Sequence, residues 1–294
     1  MNSRVLITGR HGQLARELAR TAPDCVEFQC VSSTELDISN EQDVFQYVTA
    51  YGPQVIVNAA AYTQVDKAET EPDRAFAVNA QGVLHLARAC DSIKARLIHI
   101  STDFVFDGAN ASPYSAQDIP NPLSVYGKSK LEGERLAQEA MPHNNLFILR
   151  TSWLYSTHGR NFVKTMLGLA ATRNEIRVVC DQVGSPTWAK DLALAVWNAV
   201  GRDGISGIHH FSNAGVASWY DLASAVFKEA VALGLLLREP VVHPIPTEAY
   251  PTPARRPFYS VLNCFRTWDC LGITPVHWCE SLHRMLIELK GNMP

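Results

Sequence analysis

The run Arg4-Val5-Leu6-Ile7-Thr8-Gly9-Arg10-His11-Gly12-Gln13-Leu14-Ala15 decides the fold. Arg4 to Ile7 reads as a short buried strand, and Leu14 to Arg20 as the helix that follows the turn. Gly9 permits a tight turn, and Gly12 lets the backbone approach a pyrophosphate at the helix N-terminus. Ala15 fills the small third position needed for close helix–strand packing. A plain strand-to-helix turn uses the same residues. The order strand, glycine turn and helix is what turns two glycines into a dinucleotide signature.

Strands and helices go on alternating downstream. Cys25 to Val31 reads as a second strand, and Val55-Ile56-Val57 as a third that ends in Asn58-Ala59-Ala60-Ala61. Leu97 to Ile100 and Leu146 to Arg150 supply two more, with helices over Glu41 to Thr49, Arg74 to Cys90 and the stretch carrying Lys130. Such alternation predicts an α/β fold: a doubly wound, Rossmann-like parallel sheet. Gly9, Ala59, Thr102 and Trp153 all follow strands, so they gather at the carboxyl edge, where such sheets bind ligands.

The second half is less regular. Asp181 to Thr187 is punctuated by Gly and Pro, helices are predicted from about Lys190 to Val200 and over Trp219 to Leu233, and Gly207 to Ser212 reads as a strand. His243 to Pro257 reads as a proline-rich loop. A smaller mixed α/β substrate domain is expected from about 152–184 plus 214–294. Residues 1–151 plus about 185–213 form the dinucleotide-binding domain.

The chemistry lies between Ser101 and Lys130. Ser101-Thr102-Asp103 ends a strand, and Tyr126-Gly127-Lys128-Ser129-Lys130 puts a phenol and an amine one helical turn apart on one face. An ammonium beside a phenol lowers a pKa that otherwise sits near ~10 and makes Tyr126 a usable acid or base near neutrality. Thr102 can hold the oxygen whose proton moves. This is the chemistry of carbonyl reduction or its reverse.

Cofactor choice is read at the end of the second strand. A site preferring NAD carries a carboxylate about 20 residues beyond the glycines. Here Ser32-Ser33-Thr34 stands there and Glu35 comes late. Arg10 can instead meet a 2′-phosphate. NADPH is favoured, with NADH open. Asp37 and Ile38 sit beside the adenine, or Asp37 is simply a turn and capping residue.

Composition narrows the class. Among 294 residues, 26 basic and 29 acidic side chains give a net charge of −3. Nothing there draws nucleic acid or an anionic membrane. No stretch is long enough to span a bilayer and no signal peptide precedes the first strand. Seven cysteines and ten histidines show no paired metal spacing. No metal is expected, and a reducing cytoplasm suits unpaired cysteines.

Several motifs add to this in order along nearly the whole chain. They are Gly9-x2-Gly12-Gln13-Leu14, Asn58-Ala59-Ala60-Ala61-Tyr62-Thr63-x-Val65-Asp66-x-Ala68-Glu69 and Ser101-Thr102-Asp103-Phe104-Val105-Phe106-Asp107-Gly108. Tyr126-Gly127-x2-Lys130, Leu149 to Tyr155, Asp181-Gln182-x-Gly184-x-Pro186-Thr187 and Arg256-Pro257-x2-Ser260-x-Leu262 complete them. Together they resemble the dTDP-4-dehydrorhamnose reductase family of extended short-chain dehydrogenase/reductases. The family pattern often has tyrosine where this chain has Phe104. Sugar-nucleotide 4,6-dehydratases resemble the chain too, but carry Thr-Asp-Glu where it has Thr102-Asp103-Phe104. Without that glutamate, dehydration lacks its base.

The resemblance implies that Tyr126 protonates the C4 oxygen of a dTDP-4-keto-6-deoxy sugar while NADPH delivers hydride to C4. Lys130 holds the nicotinamide ribose and Thr102 binds the reacting oxygen. The cofactor then lies along Gly9, Arg10, Gly12, Gln13, Leu14, Asp37, Ile38, Ala59, Ala60, Ala61, Tyr62 and Lys130. Asp103, Phe104 and Trp153 surround the sugar, and Arg256 meets the diphosphate. Some members are described as bridging two subunits with magnesium. Glu17 matches one such position but reads as a solvated helix residue, and Lys190 occupies another, so that metal is not expected. A homodimer is left open. The alternatives are a reductase or epimerase for another 6-deoxysugar, and a non-catalytic nucleotide-binding subunit related to that of methionine adenosyltransferase.

Overall fold

The computed structural model describes residues 3–141 and 145–292. Six strands form one sheet: β1 (Ser3–Thr8), β2 (Val26–Val31), β3 (Val55–Asn58), β4 (Arg96–Thr102), β5 (Leu146–Thr151) and β6 (Gly207–His210). Their spatial order is β6-β5-β4-β3-β1-β2, and every neighbouring pair is parallel. The middle strands are buried on both faces: every residue of β3 and β5 is inaccessible. They therefore read as unbroken apolar runs rather than alternating ones. From β1 the chain first steps out to β2, then returns to the other side of β1 as β3. That reversal opens a crevice above the carboxyl ends of β1 and β3.

One face is covered by helices Gln13–Arg20 and Ala189–Val200, through Leu14, Leu18, Leu192 and Val196. The other is covered by Glu41–Tyr51, Gly82–Ile93 and Val125–Ala140, through Val44, Val48, Leu86 and Ala137. The Asn40 side chain accepts from the Gln42 and Asp43 amides to start Glu41–Tyr51, and Gly52 ends it in the left-handed region at φ 61°. The single helix expected over Arg74 to Cys90 is broken: Pro72–Phe76 and Gly82–Ile93 flank a wide-turn π segment, Ala77–Gln81. The Asn79 carbonyl lies only 2.0 Å from where a Cβ on Gly133 of Val125–Ala140 would sit. The widened turn lies where the two helices press together.

Another apolar core, including Tyr155, Met166, Phe227, Trp278 and Met285, lies apart from the large sheet, and Trp188 packs into it. The other sheets are two-stranded: Glu175–Val179 with Val241–Ile245, Val183–Gly184 with Ala217–Ser218, and Leu154–Tyr155 with Thr187–Trp188. The predicted loop from His243 thus begins inside a strand. Pro244 pairs opposite Val178 there, which a two-stranded sheet tolerates because each strand is an edge.

Candidate active site

At the crevice, Gly9 has φ 82°, and a Cβ on it would lie 2.8 Å from the Ala59 carbonyl oxygen and the Ala60 nitrogen. Only glycine fits there, so the turn after β1 rests directly on the turn after β3. Gly12 donates its N–H to the Gly9 carbonyl at 2.7 Å and stands at the N-terminus of Gln13–Arg20 with no side-chain cap. The helix therefore presents bare backbone donors at a glycine-lined cradle, which suits a pyrophosphate. Leu14 turns its side chain into the core, leaving only backbone to a ligand. Gln13 accepts from Asn161 Nδ2 at 2.9 Å, tying the cradle to the smaller domain. Ala59, Ala60 and Ala61 are half-buried beside it, and Tyr62 is buried with its hydroxyl donating to Glu71 at 2.9 Å.

The tip of β2 differs from expectation. Glu35 folds back to accept the Ser32 N–H at 2.8 Å and the Ser32 hydroxyl at 2.7 Å, and it pairs with Arg10 Nη1 at 2.8 Å. Its carboxyl is held below the usual range, first by the Ser32 contacts and then by Arg10. Arg10, read from sequence as a partner for a 2′-phosphate, is thus paired with an acid that counting along the chain had placed too late. The Ser-x-x-Glu spacing, a local capping pattern, was the signal for it. Asp37 is exposed and accepts the Ser39 N–H and hydroxyl, the turn-residue alternative, while Ile38 is buried.

Thr102 ends β4, and its hydroxyl donates to Asp103 at 3.1 Å while accepting the Phe104 N–H at 3.2 Å. Tyr126, in the first turn of Val125–Ala140, meets Phe104 edge-on at 5.6 Å. Gly127 makes this possible, because a Cβ there would lie 2.2 Å from the Phe104 carbonyl. Burial pushes the Asp103 carboxyl up to about 6, opposed by the hydroxyls of Ser260 and Thr102, while its Oδ2 has no hydrogen-bond partner among the described residues. Burial also pushes the Tyr126 phenol up to about 12; the Thr102 hydroxyl works against this and the Asp103 charge adds to it.

Lys130 finds its hydrogen-bond partners elsewhere. Its Nζ turns to β4, donating to the Ile100 carbonyl at 2.7 Å and lying 3.4 Å from His99 Nε2. The amine is buried and pushed down to about 8, opposed only by Glu134. Sharing a helix face brought the two residues together; a long lysine stem left the choice of partner to the sheet.

On the sugar side, Trp153 follows β5 with φ 46°, a strained conformation for a bulky residue. It stacks flat on Trp219 at 3.5 Å, and Gly184 has no Cβ because the Trp153 ring lies 2.6 Å from where it would be. Arg256 is not free for a diphosphate here: its fork holds Asp66 at 2.8 and 3.0 Å. Beside Arg256, the residues Gln182, Thr247, Pro251 and Phe258 line a cavity of about 360 Å³ with it. Sequence gave no role to Trp219, to the motif residue Asp66, or to Asn79, whose amide accepts the Tyr62 N–H at 2.8 Å and donates to the Tyr62 carbonyl at 3.0 Å.

Glu17 is corrected as well. It is wholly buried rather than solvated, accepting from Ser156 at 2.7 Å and pairing with Arg20 at 2.7 Å. Arg20 continues to Glu288, which also takes Lys190 at 3.1 Å. Among the described residues no cluster of three or more His, Cys, Asp or Glu is arranged to hold a metal, and no helix is long and apolar enough to cross a membrane.

The model of the RmlD substrate binding domain matches residues 3–290. A dTDP-4-dehydrorhamnose reductase of Aggregatibacter actinomycetemcomitans is 45% identical over 287 residues, covering 95% of this chain and 97% of that one. The protein of the same name from Escherichia coli strain K12 is 42% identical, with 97% of each covered. The crystal structure of a Bacillus anthracis dTDP-4-dehydrorhamnose reductase in complex with NADP superposes with a TM-score of 0.91 at 39% identity, over 98% of this chain and all of that one. With matches of this extent and a glycine cradle beside a Thr–Tyr–Lys cluster, the chain belongs to the dTDP-4-dehydrorhamnose reductase family.

Proposed function

We propose that the chain reduces the C4 ketone of dTDP-4-dehydro-L-rhamnose, with NADPH and one proton, to dTDP-L-rhamnose and NADP+. What supports this is Thr102 at the carboxyl end of β4 and Tyr126 in the first turn of Val125–Ala140, together with the glycine turn of Gly9 packed on Ala59. Bound along that cradle, NADPH supplies the hydride. Reduction needs a proton donor at the C4 oxygen, and Tyr126 is the candidate for that role. Thr102 holds the C4 oxygen, Tyr126 protonates it, and Lys130 binds the nicotinamide ribose. Gln13, Tyr62 and the turn after β3 support the cofactor; Asp103, Phe104 and Trp153 frame the sugar; Arg256 reaches the diphosphate after exchanging Asp66 for it.

The same reading assigns residues 1–151 plus about 185–213 to the dinucleotide-binding domain and the remainder to the substrate domain, positions 1, 2, 142–144, 293 and 294 lying outside the described residues. Seven unpaired cysteines support a cytoplasmic setting. The test is sugar-dependent loss of reduced-nicotinamide absorbance with product identification. Formation of dTDP-L-rhamnose supports the reading; another C4 epimer renames the sugar; tight nucleotide binding without turnover moves the chain to the binding-subunit class.

A further inference from the structure

The chain from Pro246 to Phe258 forms a strap whose two ends are tied to one short stretch, Asp181 to Val183. At the first end the Thr247 N–H and hydroxyl donate to the Asp181 carboxylate at 2.9 and 2.7 Å, and Gln182 Nε2 donates to the Thr247 hydroxyl at 3.1 Å. At the other end the Val183 N–H donates to the Phe258 carbonyl at 2.8 Å. Pro251, Pro253 and Pro257 stiffen the strap and remove backbone donors from it. Its middle has few anchors. Among the described residues, its hydrogen bonds beyond Asp181–Val183 and its own atoms all run to one side chain, Asp66, in the short helix Val65–Ala68 after β3. Arg256 grips that carboxylate with Nη2 at 2.8 Å and Nη1 at 3.0 Å, and the Ala254 N–H adds a longer contact at 3.3 Å. The Arg256 fork holds the Asp66 carboxyl below its usual range, so the pair is fully charged at neutral pH.

We infer that Asp66 is a positioning residue that selects for a diphosphate: it latches the strap through Arg256 and releases it to a ligand able to take over the guanidinium fork. A carboxylate bound to both Nη atoms yields to a group that also offers paired anionic oxygens, which a nucleoside diphosphate has and a neutral sugar lacks. The latched state binds such a ligand poorly, so the apparent affinity is reduced by the fraction of molecules in which the latch is open. Once displaced, the Asp66 charge stays near the fork and opposes the incoming phosphate. Both effects have the same sign. Val65–Ala68 follows shortly after Ala59–Tyr62, the turn packed on Gly9, so the latch ties the strap to the nucleotide side of the crevice.

The inference deepens the diphosphate role given to Arg256 above and rests on it. Calorimetric binding of dTDP to the whole protein separates the two. Arg256→Gln should weaken dTDP binding about tenfold; unchanged binding there removes Arg256 from the diphosphate, and the inference falls with it. Where that variant does weaken binding, Asp66→Asn should tighten dTDP about two- to fivefold, the range of a partly exposed ion pair. Damage to the fold weakens a ligand rather than tightening it, so unchanged or weaker binding in Asp66→Asn overturns the inference and leaves Arg256 in its role. Asp66→Glu restores the charge and should return the affinity of the parent; binding as tight as in Asp66→Asn would show that the charge is not the latch. Hydrogen exchange reads the strap with no ligand present. The amides of 248–256 should exchange faster in Asp66→Asn than in the parent, and equal exchange overturns the inference.

Discussion

Arg150 Nη2 lies 2.6 Å from Glu134 Oε2, and each side chain is only 1% exposed, directly behind the helix that carries Tyr126 and Lys130. The guanidinium also donates through Nε to both carboxylate oxygens, and Ser101 of β4 adds its hydroxyl. The pair therefore clamps Val125–Ala140 against β4 and β5, setting where the phenol stands relative to Thr102. Removing one partner leaves an uncompensated buried charge. Glu134→Gln should cost about 3–5 kcal/mol in urea unfolding, and the apolar double replacement Glu134→Leu with Arg150→Met should recover most of it. A single variant within about 1 kcal/mol of the parent would show that the pair is not a clamp.

Tyr126→Phe keeps the ring against Phe104 and removes only the proton donor. Turnover should fall about 10²–10⁴-fold, with NADP+ affinity unchanged by fluorescence titration. Near-normal kcat would take the acid role away from Tyr126.

The Arg10–Glu35 pair should govern the choice between dinucleotides. Glu35 holds Arg10, the residue proposed to meet a 2′-phosphate, and Ser32, and adds a negative charge that would oppose such a phosphate. Glu35→Gln should tighten NADP+ binding about three- to tenfold and leave NAD+ binding the same or weaker, the gain shrinking in high salt because the pair is exposed. Equal changes for both nucleotides would place Glu35 outside the discriminating site.

Two helix glycines make a controlled contrast. In Gly133→Ala the new methyl meets the Asn79 carbonyl, so stability should drop by about 1–3 kcal/mol in spite of alanine's better helix propensity. In Gly168→Ala, within Phe162–Ala170, nothing lies within 4 Å and stability should rise by about 0.5–1 kcal/mol. Chemical unfolding of the two variants decides it; a Gly133→Ala protein as stable as the parent would mean that the helices part easily.

Asp103 should make stability fall with rising pH. Its carboxyl stands at about 6 in the fold against 3.8 in the open chain, so the fold holds the proton more tightly. The associated stability is full below about 3.8 and is lost as pH rises through about 6, a change on the order of 3 kcal/mol. Asp103→Asn should therefore gain on the parent between about pH 4 and 6 and hold a constant lead above it. A difference independent of pH would mean that Asp103 ionises freely in the fold.

Local order was legible from the chain alone. Apolar runs broken at regular intervals dictate a parallel sheet, and a strand ending in Gly-x2-Gly with a helix behind it dictates a nucleotide turn. Tyr126 and Lys130 share a helix face because the helix repeat leaves no alternative. Each of these depends on neighbours within a few positions. Tertiary structure decided the rest. Asp66 meets Arg256 across 190 positions, and Ser156 reaches a buried Glu17 across 139. Val241–Ile245 becomes a strand only because Glu175–Val179 offers it an edge. The Lys130 amine turns to His99 and Ile100 instead of the phenol because burial makes it seek acceptors on β4. Periodicity constrains which face a side chain leaves from, whereas its partner, and hence its charge, is set by whatever the folded chain packs against that face.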